Sequence, residues 1–143
     1  MTTPEDPWWR EFIDSSPART AKLATVRANG SPHVAPIWVA LDGNDLMFTT
    51  GAGSSKGKAL RRDRRVALCF DDERPPFSFV IVHGEATISE DAEDLVRWAS
   101  VLGGRYLGAE RAEEMGRRNG GPGELLVRIT PTNVIVGKGI ADP

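Results

Sequence analysis

The residues whose types and spacing suggest chemistry lie between Thr49 and Arg65. Gly51 and Gly53 lack a Cβ, so they allow a tight turn and a close approach of backbone to a ligand. Ser54 or Ser55 is suited to cap the helix that follows. The first turn of a helix carries unpaired N–H groups and the positive end of the dipole, which together attract anions. Lys56, Lys58, Arg61 and Arg62 add full positive charge at the same place. Two readings stand side by side: a pocket for a phosphate or carboxylate, or a solvated basic helix after an ordinary loop. The stretch is not a Walker A loop. From Gly51 to Gly57 there is one residue too many, and Ala59 follows Lys58 where a metal-binding Ser or Thr belongs.

Other reactive types are sparse. His33 and His83 stand alone, and a single cysteine, Cys69, completes no zinc set, so no metal site is expected. No serine sits in a Gly-x-Ser-x-Gly elbow. The third glycine of a dinucleotide fingerprint is replaced by Lys56. Cys69 reads as a buried core thiol. His83 reads as a core or barrel-rim histidine with a satisfied hydrogen bond, or as a catalytic group. An anion site beside aromatic surface, with no clear acid, base or nucleophile, fits an enzyme whose chemistry belongs to a bound cofactor.

The elements that must position these residues are short. Asp6-Pro7 opens a helix in which Trp9, Phe12 and Ile13 share a face that covers the end of a core. Residues 21–28 form a strand ending at the hairpin signal Asn29-Gly30. Residues 33–41 and 46–50 are two more strands, separated by Asp42-Gly43. A helix over 55–63, a buried strand over 66–70 and a long strand over 77–89 with a bulge at Gly84 follow. Residues 90–103 are helical, with Leu95, Trp98, Ala99 and Leu102 on one face, and Gly103-Gly104 ends or breaks that helix. A polar helix over 109–118 precedes Gly120-Gly121-Pro122-Gly123. Two last strands, 125–129 and 134–136, join through 130–133. Many short strands with few helices predict a mainly β, closed or partly closed barrel with peripheral helices.

Length and composition bound the rest. At 143 residues the chain makes one domain, 1–143. A net charge of -2 argues against nucleic acid as a partner, and sets the basic cluster against an acidic background. There is no basic-then-apolar leader and no apolar run of membrane-spanning length, so a cytoplasmic protein with no membrane partner is expected.

Residues 21–26 (Ala-Lys-Leu-Ala-Thr-Val) and 29–34 (Asn-Gly-Ser-Pro-His-Val), with Pro36-Ile37-Trp38, residues 46–50, the basic helix through Asp63 and Arg65, residues 79–86 and Thr130-Pro131, resemble the pyridoxamine 5'-phosphate oxidase-like superfamily. Within it the pattern looks most like the small actinobacterial reductases that use coenzyme F420, a 5-deazaflavin. Arg64 stands where that group usually has Pro, and Gly57 in the first helical turn departs from it as well, which would let the backbone approach a phosphate. The resemblance implies an FMN-binding split barrel that forms a homodimer with cofactor at the interface. It implies that Pro36, Ile37, Trp38 and Val39 line the ring, that Thr49, Thr50, Ser54, Ser55, Lys56 and Lys58 hold the ribityl chain and phosphate, and that Arg61 meets the acidic tail. Phe77 and Phe79 would reach in from the other subunit. The implied reaction is hydride transfer from reduced F420 to an electron-poor small molecule of the enone, quinone or tetrapyrrole type. The alternatives are an FMN-dependent oxidase or reductase, and a non-catalytic flavin- or haem-binding module with His33 or His83 as axial ligand.

Overall fold

The computed structural model describes residues 3–142. The helix α1 (Trp8–Ile13) is followed by strands β1 (Ala21–Val26), β2 (Pro32–Ile37), β3 (Ala40–Asp42) and β4 (Asp45–Gly51). Then come α2 (Ser55–Arg62), β5 (Arg65–Asp72), β6 (Ser78–Ser89), α3 (Ala92–Leu107), α4 (Ala112–Asn119) and β7 (Glu124–Gly137). All seven strands join one sheet in the order β2-β1-β5-β6-β7-β4-β3, and every pairing is antiparallel.

The two edge strands, β2 and β3, are joined by Trp38 and Val39 alone. A fully extended residue spans at most about 3.6 Å. The sheet therefore has to curl until its edges nearly meet, which makes it a split barrel with its seam at Trp38–Val39. Alternation along the strands puts Leu23, Phe48, Leu68, Phe70, Val80, Val82 and Ile129 inside, and Trp9, Phe12 and Ile13 of α1 join the same core. Burying each such large side chain contributes about 1.5–3 kcal/mol. A smaller cluster lies under α3, where Leu95, Trp98 and Leu102 pack on Ala40, Met47 and Leu126.

Several expectations change. The single strand expected over 33–41 is two strands on opposite edges, because the chain crosses the seam there. The two strands expected after Gly123 are one, β7, which runs through Pro131. The long β6 pairs along its whole length, from Phe79↔Gly137 to Ser89↔Leu126, and holds it extended. The register shifts between His83 and Gly84, which is the expected bulge. The helix α3 continues through Gly103-Gly104 to Leu107, because a Cβ at Gly103 would overlap Met115 of α4. Those glycines let the two helices approach closely. Cys69 is only half-buried and shares the outward face of β5 with Ala67, while His83 is exposed on the outward face of β6.

Candidate functional site

The glycine turn is held by hydrogen bonds within it and by one to the loop before β7. Ala52 N–H donates to the Gly123 carbonyl at 2.8 Å, and Ser54 N–H to the Gly51 carbonyl at 3.1 Å. Ser54 is the N-cap of α2: its Oγ accepts from Gly57 N–H at 3.0 Å and donates to the Gly51 carbonyl at 2.8 Å. Thr50 Oγ1 lies 3.0 Å from the same Oγ. A serine hydroxyl has one hydrogen, which Gly51 takes, so Thr50 is the donor in that pair. Ser54 is thus occupied in shaping the cradle and has no proton left to offer a ligand. The Ser55 and Lys56 N–H groups open the helix and, like those of any helix start, have no intrahelical acceptor. Gly57 answers to packing: a Cβ there would overlap the Gly51 carbonyl oxygen. It lets α2 close on the turn that shapes the cradle.

Beside this turn lies a cavity of about 380 Å³. Small-molecule sites occupy roughly 300–1,000 Å³. One end is formed by Pro36, Ile37 and Trp38 at the seam, with Ala99 and Leu102 of α3 as apolar wall. The other end is polar, with Thr49, Thr50, Gly51, Ser54, Lys56, Asn119 and Glu124. Tyr106 supports the apolar end. Its ring stacks on Trp38 at 5.1 Å between centroids with planes 6° apart. Its hydroxyl accepts from Val39 N–H at 3.0 Å and donates to the Arg19 carbonyl at 2.8 Å, which ties the seam to the chain before β1. At the polar end, burial pushes the Glu124 carboxyl above the usual carboxylate range, and the Lys56 ammonium pulls against that shift. Lys56 makes no ion pair among the described residues.

Seven of the residues singled out from the sequence meet in this cavity: Pro36, Ile37, Trp38, Thr49, Thr50, Ser54 and Lys56. Val39 does not line it; its side chain is 0% exposed and belongs to the core. Ser55 and Lys58 are exposed on the outer side of α2. Arg61 is exposed and pairs with Glu90 at 3.4 Å, while Arg65 is held by Asp63 at 2.7 Å. Phe77 and Phe79 border a separate hollow with Asp71, Asp72 and Ile140. Asn119 and Glu124 had no signal of their own in the sequence. Glu124 arrives because it pairs with Gly51 in the β4–β7 register. Among the described residues no group of three or more His, Cys, Asp or Glu is placed to hold a metal ion. No described helix is long and apolar enough to cross a membrane.

Comparison with known proteins places the chain in a family and finds similar folds. The sequence model of the family described as "Pyridoxamine 5'-phosphate oxidase" matches residues 6–136. No curated protein matches the chain. Among solved structures, the conserved hypothetical protein Rv2991 from Mycobacterium tuberculosis is similar at 27% identity and a TM-score of 0.82, over 99% of this chain and 91% of that one. A structure titled "F420 Reductase" has 24% identity and a TM-score of 0.71, over 93% of this chain and 98% of that one. The haem storage protein HutZ from Vibrio cholerae has 18% identity and a TM-score of 0.73, over 97% and 99%. At such identities the last two likenesses are of fold.

Proposed function

The chain belongs to the pyridoxamine 5'-phosphate oxidase family, and from that premise we propose that it is an oxidoreductase using coenzyme F420, passing a hydride to an electron-poor unsaturated small molecule. The observation that carries this reading is the cavity, where an apolar aromatic end and a glycine-turn helix start with an unpaired Lys56 share one space. The likeness in fold to an F420 reductase supports it. The residues fit such a group: Gly51 and Gly53 have open space where a Cβ would stand, and Lys56 is free to meet an anion. When bound, the deazaflavin supplies the hydride chemistry.

This chain's residues do the remaining work. Pro36, Ile37 and Trp38 offer an apolar face for the ring, and Ala99 and Leu102 exclude water from it. Tyr106 fixes the Trp38 plane. Thr49, Thr50 and the opening N–H groups of α2 meet the polar chain, and Lys56 meets the phosphate. Lys58 and Arg62 are exposed on α2 and would be available to an acidic tail that leaves the cavity. We also propose a homodimer. The outward sheet face carries two neighbouring rows, Val34–Ala24–Ala67–His83 and Pro36–Lys22–Cys69–Ile81–Ile135, and Pro36 belongs both to that face and to the cavity. A second copy laid on the face would cover the open side of the site.

The test is fluorescence titration of the purified protein with oxidised F420 and, separately, with FMN. Saturable F420 binding that Lys56→Ala weakens about tenfold or more is the expected result, as for the loss of a charged hydrogen-bond partner of about 1.5–3 kcal/mol. Preference for FMN would instead make the protein a flavin enzyme, and binding without turnover against any enone or quinone would make it a carrier.

A further inference from the structure

The polar end of the cavity holds a carboxylate as well as a cation. Among the described residues Glu124 and Lys56 are the charged side chains that line this space, and Asn119 lines it too. Glu124 is the first residue of β7, opposite Gly51, so it stands directly against the glycine turn. It is partly buried and is not neutralised by a short ion pair with Lys56. Its ionised form is disfavoured by burial and favoured by the nearby Lys56 ammonium. A ligand phosphate cradled by the turn therefore meets one positive and one negative group.

We propose that Glu124 is a charge filter, set beside Lys56 so that the cradle accepts a phosphodiester with one negative charge and turns away a phosphomonoester dianion. The physical basis is simple. A phosphomonoester has a second ionisation near pH 6 and carries about −1.5 to −2 at neutral pH. A diester cannot lose that second proton and stays at −1. Attraction to Lys56 and repulsion from Glu124 both scale with ligand charge. With the carboxylate in place the net field at the cradle is close to neutral, so the extra charge of the monoester gains little. Its second charge still has to leave water, which costs free energy with no matching return. Discrimination here comes from a repulsive group as much as from an attractive one. The inference rests on the reading of this cavity as the site of a deazaflavin with a diester phosphate, and it names the residue that would set it apart from flavin mononucleotide sites.

The experiment uses three probes on the intact protein: FMN, riboflavin and oxidised F420. Riboflavin shares the ring and ribityl chain of FMN and lacks only the phosphate. Affinities are measured for the native protein and for Glu124→Gln at mildly alkaline pH, where the monoester is a dianion. In the native protein FMN is expected to bind less than about tenfold more tightly than riboflavin. Glu124→Gln should tighten FMN by about tenfold, F420 by about threefold, and riboflavin not at all, following their charges. Equal changes for all three probes would overturn the proposal, because they would report reshaping of the cavity and not charge. An FMN affinity hundreds of times that of riboflavin in the native protein would overturn it as well, even if the variant failed to fold. So would an absence of FMN binding to both proteins. Failure of F420 to bind, with the FMN and riboflavin pattern intact, would sink the cofactor reading while sustaining the filter.

Discussion

At the scale of single residues, Lys56 and Glu124 decide the character of the site. Glu124 is a carboxyl whose folded-state pKa is raised from its ordinary value near 4.5, first by burial. A raised carboxyl binds more protons in the folded than in the unfolded state across that window. Stability then falls as pH rises through the window between the two values. Above it, the ionised side chain is a continuing cost to the apo protein. Glu124→Gln should therefore raise the melting temperature at neutral pH, and the gain should vanish once pH drops below the ordinary carboxyl range. Melting curves of both proteins across pH check this, and a gain independent of pH would mean that packing and not ionisation is responsible. The Asp63–Arg65 pair shifts the other way: the guanidinium holds the Asp63 carboxyl down to about 2. That contribution is present above the ordinary carboxyl range and is lost as pH falls through about 2. Because the pair is solvent-exposed and bridges only two residues, its part in stability is small.

At the scale of elements, the start of α2 is the decisive unit. Its helix propensity is poor in one place, Gly57, and a lone Gly→Ala change in an exposed helix would stabilise by up to about 1 kcal/mol. Here the added Cβ would overlap the Gly51 carbonyl oxygen. Overpacking of that kind costs about 1–3 kcal/mol. The second effect wins, so Gly57→Ala is expected to lower stability and to weaken F420 and FMN together by opening the turn. Denaturant unfolding and the same titrations check it, and a stabilised variant with unchanged binding would show that the turn relaxes freely. The pairing of α3 with α4 follows the same logic, with Gly103 lying against Met115. That contact sets how closely α4, which carries Asn119 to the cavity, lies on α3.

At the scale of the whole molecule, the curled sheet leaves one outward face weakly covered. Val34 is 66% exposed and Ile135 43%, in neighbouring rows that hold Ala24, Ala67 and Ile81 together with Lys22 and His83. Exposed apolar side chains grouped on one face and mixed with polar ones are the kind of surface that joins proteins. If it joins two copies, Val34→Asp should shift the protein from dimer to monomer in sedimentation velocity and weaken F420 binding at the same time. A native protein that sediments as a monomer at all concentrations would remove the dimer from the proposal and leave the cavity open to solvent.

Much of this protein was legible in its sequence. The strand–glycine turn–serine cap–basic helix order is local, and local order depends on caps, turns and alternation that single residues dictate. The same holds for the hairpin at Asn29-Gly30, the buried face of α1 and the Leu95–Trp98–Ala99–Leu102 stripe. The family resemblance supplied the barrel, and the strand order agrees with it. What tertiary structure alone decided were the places where a partner overrides a local signal. Pro131 does not end β7, because β6 holds the chain extended on both sides of it. Gly103-Gly104 does not end α3, because α4 packs where side chains would be. Cys69 faces outward, because an apolar run carries no mark of which parity looks inward. Arg61 meets Glu90 only because the chain after β6 lies beside α2, a contact between residues far apart in sequence. Glu124 stands at the anion cradle only through its pairing with Gly51, a contact between residues 73 positions apart (124 − 51 = 73) that no local pattern encodes.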